Sequence, residues 1–360
     1  MKTQVYFFKD VDYIDLDNFS ASDLVVDEGS KVNGYTALTS QGKVVNQDYL
    51  NSQIDTINQI MTDKSYNNWP TVVDDIQNNF SGLGKIKSQM GSDSQKHKTF
   101  LINASRYMGL SVDELQQKKD QLTALNDGKT RNIILGELNM QSSGYVYASL
   151  NSMEKVINEN LLPYIDKSFL DNAGTIDRQN ETALKIINND HLFAAFVMKK
   201  DDVLDGQDDA LSLKQKYVGT KGSEKNNVYY QYLIKRVDLL WGYPEIAVEK
   251  DGKAYNCYLI DVIEDGDYKI PVVIFKDYVN IFASDNITNT NVDIQNFEVY
   301  KVPESAITHE GDKTYLTTLE KDYFTNKVEV KVNKEENGKA LLKVSDNPQL
   351  SVGTSYRVYP

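Results

Sequence analysis

The segment NQDYLNSQIDTINQIM, residues 46–61, opens the part of the chain whose reading decides the fold. Leu50, Ile54, Ile57 and Met61 recur at steps of four, three and four, which lines one apolar stripe along a helix. A second stripe follows at Trp69, Val73, Ile76, Phe80, Leu83, Ile86 and Met90, and after the turn-like Gly91-Ser92-Asp93 a third runs through Phe100, Leu101, Ala104 and Met108. Ser111-Val112-Asp113-Glu114 has the form of a capping box and introduces Leu115, Leu122 and Leu125. Each stripe is thin and the remaining faces are polar, so each helix has apolar surface for one partner only. The spacing predicts a helical hairpin over residues 46–131 that turns near Gly91. Pro70 and Gly109 interrupt its arms about twenty residues from that turn, roughly 30 Å at the helical rise. An up-and-down four-helix bundle is the alternative packing of the same stripes.

Outward from this segment the pattern is β. Short strands joined by turns run from Val5 to Leu38, with Gly29 and Gly34 as turn positions. On the far side Gly136–Tyr147 and Thr182–Asn189 read as strands, with a helical excursion between them that carries Met153, Val156, Ile157, Leu161 and Leu162. Strands are then expected at Phe193–Met198, Val228–Ile234, Pro244–Val248, Lys253–Val262, Tyr268–Lys276 and Val292–Tyr300. Asp251-Gly252 and Asp265-Gly266 are hairpin signals between them, and this spacing fits an antiparallel β-barrel. The tail continues as hairpins turning at Gly311-Asp312 and near Asn337-Gly338, with Val328, Val330 and Val332 facing Leu341, Leu342 and Val344.

Composition excludes several classes of partner. Of 360 residues 39 are Lys or Arg and 52 are Asp or Glu, a formal charge of −13, so nucleic acid and anionic lipid surfaces would repel the chain. No run of about 18 apolar residues occurs, and residues 1 to 20 lack the basic start and apolar centre of a signal peptide. The single cysteine, Cys257, rules out an internal disulfide and a thiolate metal cluster, and its strand-like surroundings make it a small buried hydrophobe.

The strand Asp23-Leu24-Val25-Val26, then Glu28-Gly29, two residues, Val32, one residue, Gly34 and a further strand is similar to one half of a lipoyl-like, or barrel-sandwich, motif. Gly136–Tyr147 with Thr182–Asn189 resembles the other half. Lipoyl-like halves separated by a helical hairpin resemble the periplasmic adaptor proteins of the HlyD type, also called membrane fusion proteins, including their Gram-positive relatives. Val302-Pro303-Glu304-Ser305-Ala306-Ile307 is similar to the segment near which that family closes its β-barrel.

The resemblance implies a mainly β chain with a helical insertion. Residues 1–45 and 132–200 would form the split lipoyl-like domain, 46–131 the hairpin, 201–305 the barrel and 306–360 a small membrane-proximal β-domain. It implies an adaptor outside the cytoplasm, held at the cytoplasmic membrane by an N-terminal helix upstream of residue 1. Its partners would be a membrane transporter of the ABC type and another envelope protein. A homo-oligomer through the β-domains is implied as well, with no cofactor, no catalytic residue and no metal. The hairpin tip, Gln89, Met90, Gly91, Ser92, Asp93 and Ser94, would touch the envelope partner.

His97, His191 and His309 are scattered and lack metal-ligand spacing, so each reads as a solvated residue. Two acidic clusters, one over Asp201, Asp202, Asp205, Asp208 and Asp209 and one over Asp10, Asp12, Asp15 and Asp17, do not complete a calcium loop and read as solvated loops. Ser81-Gly82-Leu83-Gly84-Lys85 lacks the spacing of a phosphate loop. Val197-Met198-Lys199-Lys200 looks like a biotinyl or lipoyl carrier site, but Lys199 falls at the far end of the second β-stretch and not where the halves join. The reading from another class is a secreted or surface carbohydrate-binding or carbohydrate-active protein, whose mark would be aromatics clustered on an exposed β-face. With 23 Tyr that reading stays open.

Overall fold

The computed structural model describes residues 1–40, 42–65, 72, 92–138, 143–174, 176, 179–218, 223–277, 279–294, 299–311, 313–320, 324–332, 334–336, 338–344 and 347–358. The chain divides into two compact units, Met1–Ile294 and Gln295–Pro360.

Strands of the first unit are β1 (Lys2–Phe8), β2 (Val11–Ile14), β3 (Lys31–Asn33), β4 (Ser143–Asn151), β5 (Asn180–Asn188), β6 (Leu192–Phe196), β7 (Met198–Lys199), β8 (Glu245–Lys250), β9 (Lys253–Asp265), β10 (Tyr268–Phe275) and β11 (Ile287–Asp293). Its described helices are α1 (Gln47–Ser65), α2 (Ser92–Tyr107), α3 (Val112–Leu125), α4 (Leu135–Leu138), α5 (Lys167–Ala173), α6 (Gln207–Val218), α7 (Ser223–Lys235) and α8 (Val279–Phe282).

Six strands close into an antiparallel barrel in the order β6-β1-β11-β8-β9-β10, with β10 pairing back onto β6. Alternation along each strand separates its two faces. Val5 and Phe7 join Ala194, Phe196, Val248, Leu259, Val273, Phe275 and Val292 in one cluster to which every barrel strand contributes, which is the interior. Tyr6, Phe8, Phe193, Ala195, Ile270, Val272 and Ile274 point the other way and join the cluster shared with the helices and the second sheet. Strands covered on both faces need continuous apolar runs, as LFAAF in β6 supplies. Two-residue loops link β8 to β9 and β9 to β10. The first of these loops holds Asp251 and Gly252 at φ of +51° and +73°, the pairing a type I′ hairpin turn needs.

The second sheet has the order β2-β5-β4-β3 and is also antiparallel. Strands β3 and β4 pair in register at Val32 and Gly144, although 109 residues lie between the two strands in sequence. Bridges from Ala37 to Ile134 and from Lys43 to Arg131 extend that pairing. The helical segment is therefore entered and left at neighbouring positions of one β-module.

Helices α1 and α3 run antiparallel: Lys64 Nζ at the end of α1 donates to the Leu110 carbonyl (2.6 Å), and Asn126 Nδ2 past the end of α3 donates to Asn51 Oδ1 (2.8 Å). The capping box forms as the sequence predicts, with Glu114 N donating to Ser111 Oγ and Ser111 N to Glu114 Oε2. Helix α2 also packs on α1, since Asn103 and Tyr107 bond Ser52 and Gln53.

Several expectations are corrected. The buried face of α1 is Leu50, Gln53, Thr56, Ile57 and Ile60, while Ile54 and Met61 lie at its flank, because Arg106 and Tyr107 satisfy the amide of Gln53. The helices do not bury only against one another: Leu50, Ile57, Leu101, Leu115 and Leu122 share one cluster with Leu16, Val146 and Leu184 of the sheet module. Val228–Ile234 is part of helix α7 and not a strand. Its Tyr230 hydroxyl donates to buried Asp261 (2.6 Å), beside Lys214 of α6, while the Tyr229 hydroxyl donates to the Ile260 carbonyl (2.7 Å) at the bulge in β9. Lys2–Phe8, within the bounds expected for the split β-module, is a barrel strand, and Leu192–Phe196 joins the barrel as the strand series from Phe193 anticipates, although the bounds 132–200 include it in that module. Pro70 and the second apolar stripe from Trp69 to Met90 lie outside the described residues.

The second unit holds strands β12 (Val299–Pro303), β13 (Ile307–Glu310), β14 (Lys313–Glu320), β15 (Phe324–Glu329), β16 (Lys334–Glu336), β17 (Lys339–Lys343) and β18 (Ser355–Tyr356). They form the sheets β12-β17-β16 and β13-β14-β15, with β18 on β14. Val302, Ala306, Leu316, Val330 and Leu342 make its core, and its hairpins turn at the expected Gly311 and Gly338. Val302–Ile307 links β12 to β13 here, and the barrel's last strand is β11, so the hexapeptide lies beyond the barrel instead of closing it.

Candidate functional site

Of the predicted tip, Gln89, Met90 and Gly91 lie outside the described residues, and Ser92, Asp93 and Ser94 open helix α2. Gly109 is a corner between α2 and α3. A Cβ there would stand 2.3 Å from Asn160 Oδ1, and the Asn160 amide in turn donates to the Arg106 carbonyl (2.6 Å) at the end of α2. A larger residue there would have to displace the Asn160 side chain.

The site sequence reasoning missed lies where the chain crosses between barrel and sheet. It leaves the barrel from β1 through Lys9 and Asp10 into β2, and it returns from β5 through Asn189, Asp190 and His191 into β6. Backbone bonds tie the crossings to each other and to a short 3-10 turn at Glu159–Tyr164: Asn188 N donates to the Asp10 carbonyl (3.0 Å) and Glu159 N to the Lys9 carbonyl (3.3 Å).

Charged side chains fill this junction. Lys9 Nζ is buried and donates to Glu154 Oε1 (3.2 Å), the Ala283 carbonyl (2.6 Å) and Asn286 Oδ1 (3.0 Å). Lys185 Nζ binds both oxygens of the same carboxylate at 3.1 and 2.9 Å. Burial pushes Lys9 down to about 8, against the pull of Glu154. Burial also works to raise Glu154, but the two lysines outweigh it and hold the carboxyl below its ordinary value.

Next to this triad, Asp10 Oδ2 accepts from Asn188 Nδ2 (3.2 Å), and His191 Nε2 lies 2.7 Å from Glu159 Oε2 with its ring edge-on to Phe193. Burial, with Glu159 and Asp12 nearby, pushes Asp10 up to about 7. Burial opposes charge on His191, and Glu159 outweighs it, so the imidazole is raised above its ordinary value. Asp12 binds Lys118 Nζ at 3.0 Å and Arg106 at 3.3 Å, and the guanidinium carbon of Arg106 stands 3.9 Å over the Tyr13 ring. A cleft of about 160 Å³ opens here, with Asp10, Asp12, Arg106, Lys118, Glu159 and Asn160 on its wall.

His191 is thus a buried member of a charge cluster and not a solvated residue. Its partners come from sequence positions 10 and 159, and no local spacing announces them. His97 is exposed on α2, and His309 Nδ1 meets Thr314 Oγ1 at 3.2 Å across two strands. Lys199, in β7, pairs with Tyr268 of β10. The Asp201–Asp209 stretch leads into α6, where Asp208 and Asp209 occupy the first turn. Ser81–Lys85 lies outside the described residues. Among the described residues no group of three or more His, Cys, Asp or Glu side chains is arranged to hold a metal ion. No described helix is long and apolar enough to cross a membrane. Cys257 is buried, its thiol pushed up by burial. Among the described residues the exposed aromatics are Tyr35 in the turn after β3, Tyr217 on α6, Tyr268 on β10 and Phe324 on β15.

No protein-family profile matches the chain, and no curated protein matches it. Among solved structures it is similar to ZneB from Cupriavidus metallidurans, at 12% identity over 99% of this chain and 87% of that one, with a TM-score of 0.26. It is also similar to the membrane fusion protein Spr0693 from Streptococcus pneumoniae, at 11% identity over 82% of this chain and 100% of that one, with a TM-score of 0.25. Superpositions of this quality do not assign a function, which has to come from the chain's own residues.

Proposed function

We propose that this chain is a non-enzymatic adaptor of an export system, acting outside the cytoplasm and resembling the HlyD type. It would bridge a cytoplasmic-membrane transporter of the ABC type to another envelope component. One observation carries the reading: helices α1 to α3 are inserted between β3 and β4, two paired strands of one sheet, and the insertion begins and ends at the neighbouring positions Lys43 and Arg131. A closed barrel, and a separate β-unit later in the chain, support the reading.

In this reading β2 to β5 are the core of the lipoyl-like module, Val302 onward is the membrane-proximal part, and a helix upstream of residue 1 anchors the protein. Residues Gln89–Ser94 touch the envelope partner, the β-domains carry a homo-oligomer, and no cofactor takes part. Asp93→Lys in the anchored, full-length protein tests this. Thermal stability should stay within about 0.5 kcal/mol, as for most surface changes, while export and partner capture fall. Unchanged export with every envelope contact intact would contradict the reading.

A further inference from the structure

We infer that Lys9 and Asn286 are the two ends of an intramolecular isopeptide bond that the folded chain makes for itself, with Glu154 as the group that moves the proton. The bond ties the end of β1 to the residue before β11. This inference stands apart from the adaptor reading.

Three side chains from distant parts of the sequence meet at one nitrogen. Strands β1 and β11 pair antiparallel with Tyr6 opposite Ile287, and Phe7 N donates to the Asn286 carbonyl (2.9 Å), so Lys9 and Asn286 stand on adjacent chains just past that register. Lys9 is 1% exposed, and its Nζ donates to Asn286 Oδ1 at 3.0 Å, to Glu154 Oε1 at 3.2 Å and to the Ala283 carbonyl at 2.6 Å. The nitrogen is thus pinned between an amide that it can attack and a carboxylate that can accept its proton.

The charges favour the reaction. Lys9, Lys185 and Glu154 are all buried, and the single carboxylate serves both lysines, so a dry place holds two cations for one anion. Acylating Lys9 removes the surplus cation and leaves Lys185 and Glu154 as a matched pair. Burial lowers Lys9 to about 8, with Lys185 adding to the shift while Glu154 and Asp285 oppose it, and Asp285 is itself paired with Lys250 at 2.6 Å. Much of the amine is therefore neutral near pH 8, which is the form that attacks.

The reaction needs no outside reagent. Once the ammonium has lost one proton to solvent, the Nζ lone pair adds to Asn286 Cγ and the carbonyl electrons move onto Oδ1. Glu154 takes a proton from the nitrogen now bound to carbon and passes it to Nδ2 of Asn286. The bond from Cγ to Nδ2 then breaks, its electron pair leaves with ammonia, and the carbonyl re-forms. An amine and a primary amide become a secondary amide and ammonia, with no change in oxidation state. Lys185 Nζ at 3.1 and 2.9 Å and the Asn151 amide at 2.9 Å hold the carboxylate in place for both transfers. Fixing amine and amide side by side supplies the rate that they lack as separate molecules in water. Asn286 is half-buried, which gives ammonia a way out.

The link joins the first and last strands of the barrel across a sequence separation of 277. A cross-link over so long a loop removes much of the freedom of the unfolded chain.

Peptide mapping by mass spectrometry, on the full chain after incubation in the folded state at pH 8, tests the bond. The peptides that carry Lys9 and Asn286 should be recovered as one species, lighter than their sum by one ammonia, with fragmentation placing the link on those two side chains. Asn286→Ala should abolish the species, and Glu154→Gln should lower the linked fraction at least about tenfold, since a positioned acid–base group contributes that much or more. Separate Lys9 and Asn286 peptides in the unaltered chain would overturn the inference. So would ammonia loss confined to the Asn286 peptide, as from a cyclised asparagine, or a linked fraction undiminished in Glu154→Gln. If Glu154→Gln does not fold, the linked species of the unaltered chain and its loss in Asn286→Ala decide alone.

Discussion

The barrel interior and the crossings that leave it are both buried, yet opposite chemistries hold them. Inside the barrel Phe7 stacks on Phe282 with ring centroids 5.0 Å apart, and Phe275 meets Phe282 at the same distance. Two residues beyond Phe7 the chain buries Lys9, held by Glu154, the Ala283 carbonyl and Asn286, and then half-buries Asp10 beside Asn188, while Glu159 pairs with buried His191. Apolar burial stabilises whatever the pH, because no proton enters it. Buried charges cost desolvation and repay it in one protonation pattern only. The barrel is held by apolar packing, and the crossings are held by paired charges.

Removing the ring in Phe7→Ala should cost roughly 3 to 5 kcal/mol, equally at pH 5.5 and pH 8 in urea melts. A pH-dependent loss would show that the barrel is not the unconditional part. Glu154→Gln should cost about 3 kcal/mol at pH 7, the low end for breaking a buried pair, because Lys9 can shed its proton. Lys9 titrates below its ordinary value in the folded protein, so the folded state binds its proton less well, and stability of the variant should recover as pH rises from 7 to 9. An equal loss at both pH values would argue that lost hydrogen bonds, and not orphaned charge, set the cost. Asp10→Asn should do the opposite of most substitutions: no effect at pH 4, and stabilisation on the order of 2 kcal/mol at pH 8, where the half-buried natural carboxyl is ionised near the Glu159 and Asp12 carboxylates. A higher melting temperature of the variant at pH 8 checks this, and destabilisation there would contradict it.

These regions also differ in how far the sequence announces them. Asp251-Gly252 and the alternation on either side fix a hairpin locally, and the capping box at Ser111 does the same for a helix start. The insertion is legible because its β-flanks are similar in pattern and its helices are periodic. Barrel membership of β1 is not legible, since its partners begin at positions 196 and 291 and nothing near Val5 names them. Val228–Ile234 misleads because Tyr, Val and Ile favour strands, whereas burial of Tyr229, Tyr230 and Leu233 follows a helical step. The junction was hidden for the same reason as β1: Asp10, Glu159 and His191 each look like surface residues until the fold brings them together.

Site-specific photo-crosslinking in cells producing the full-length protein tests the central claim most directly, with the probe at position 93 in the helical insertion and, as a control, at exposed Tyr268 on the barrel. The adaptor account predicts that position 93 captures an envelope protein other than the transporter and that position 268 does not capture it. Capture of that protein from position 268 with none from position 93 would move the functional surface to the barrel and contradict the account.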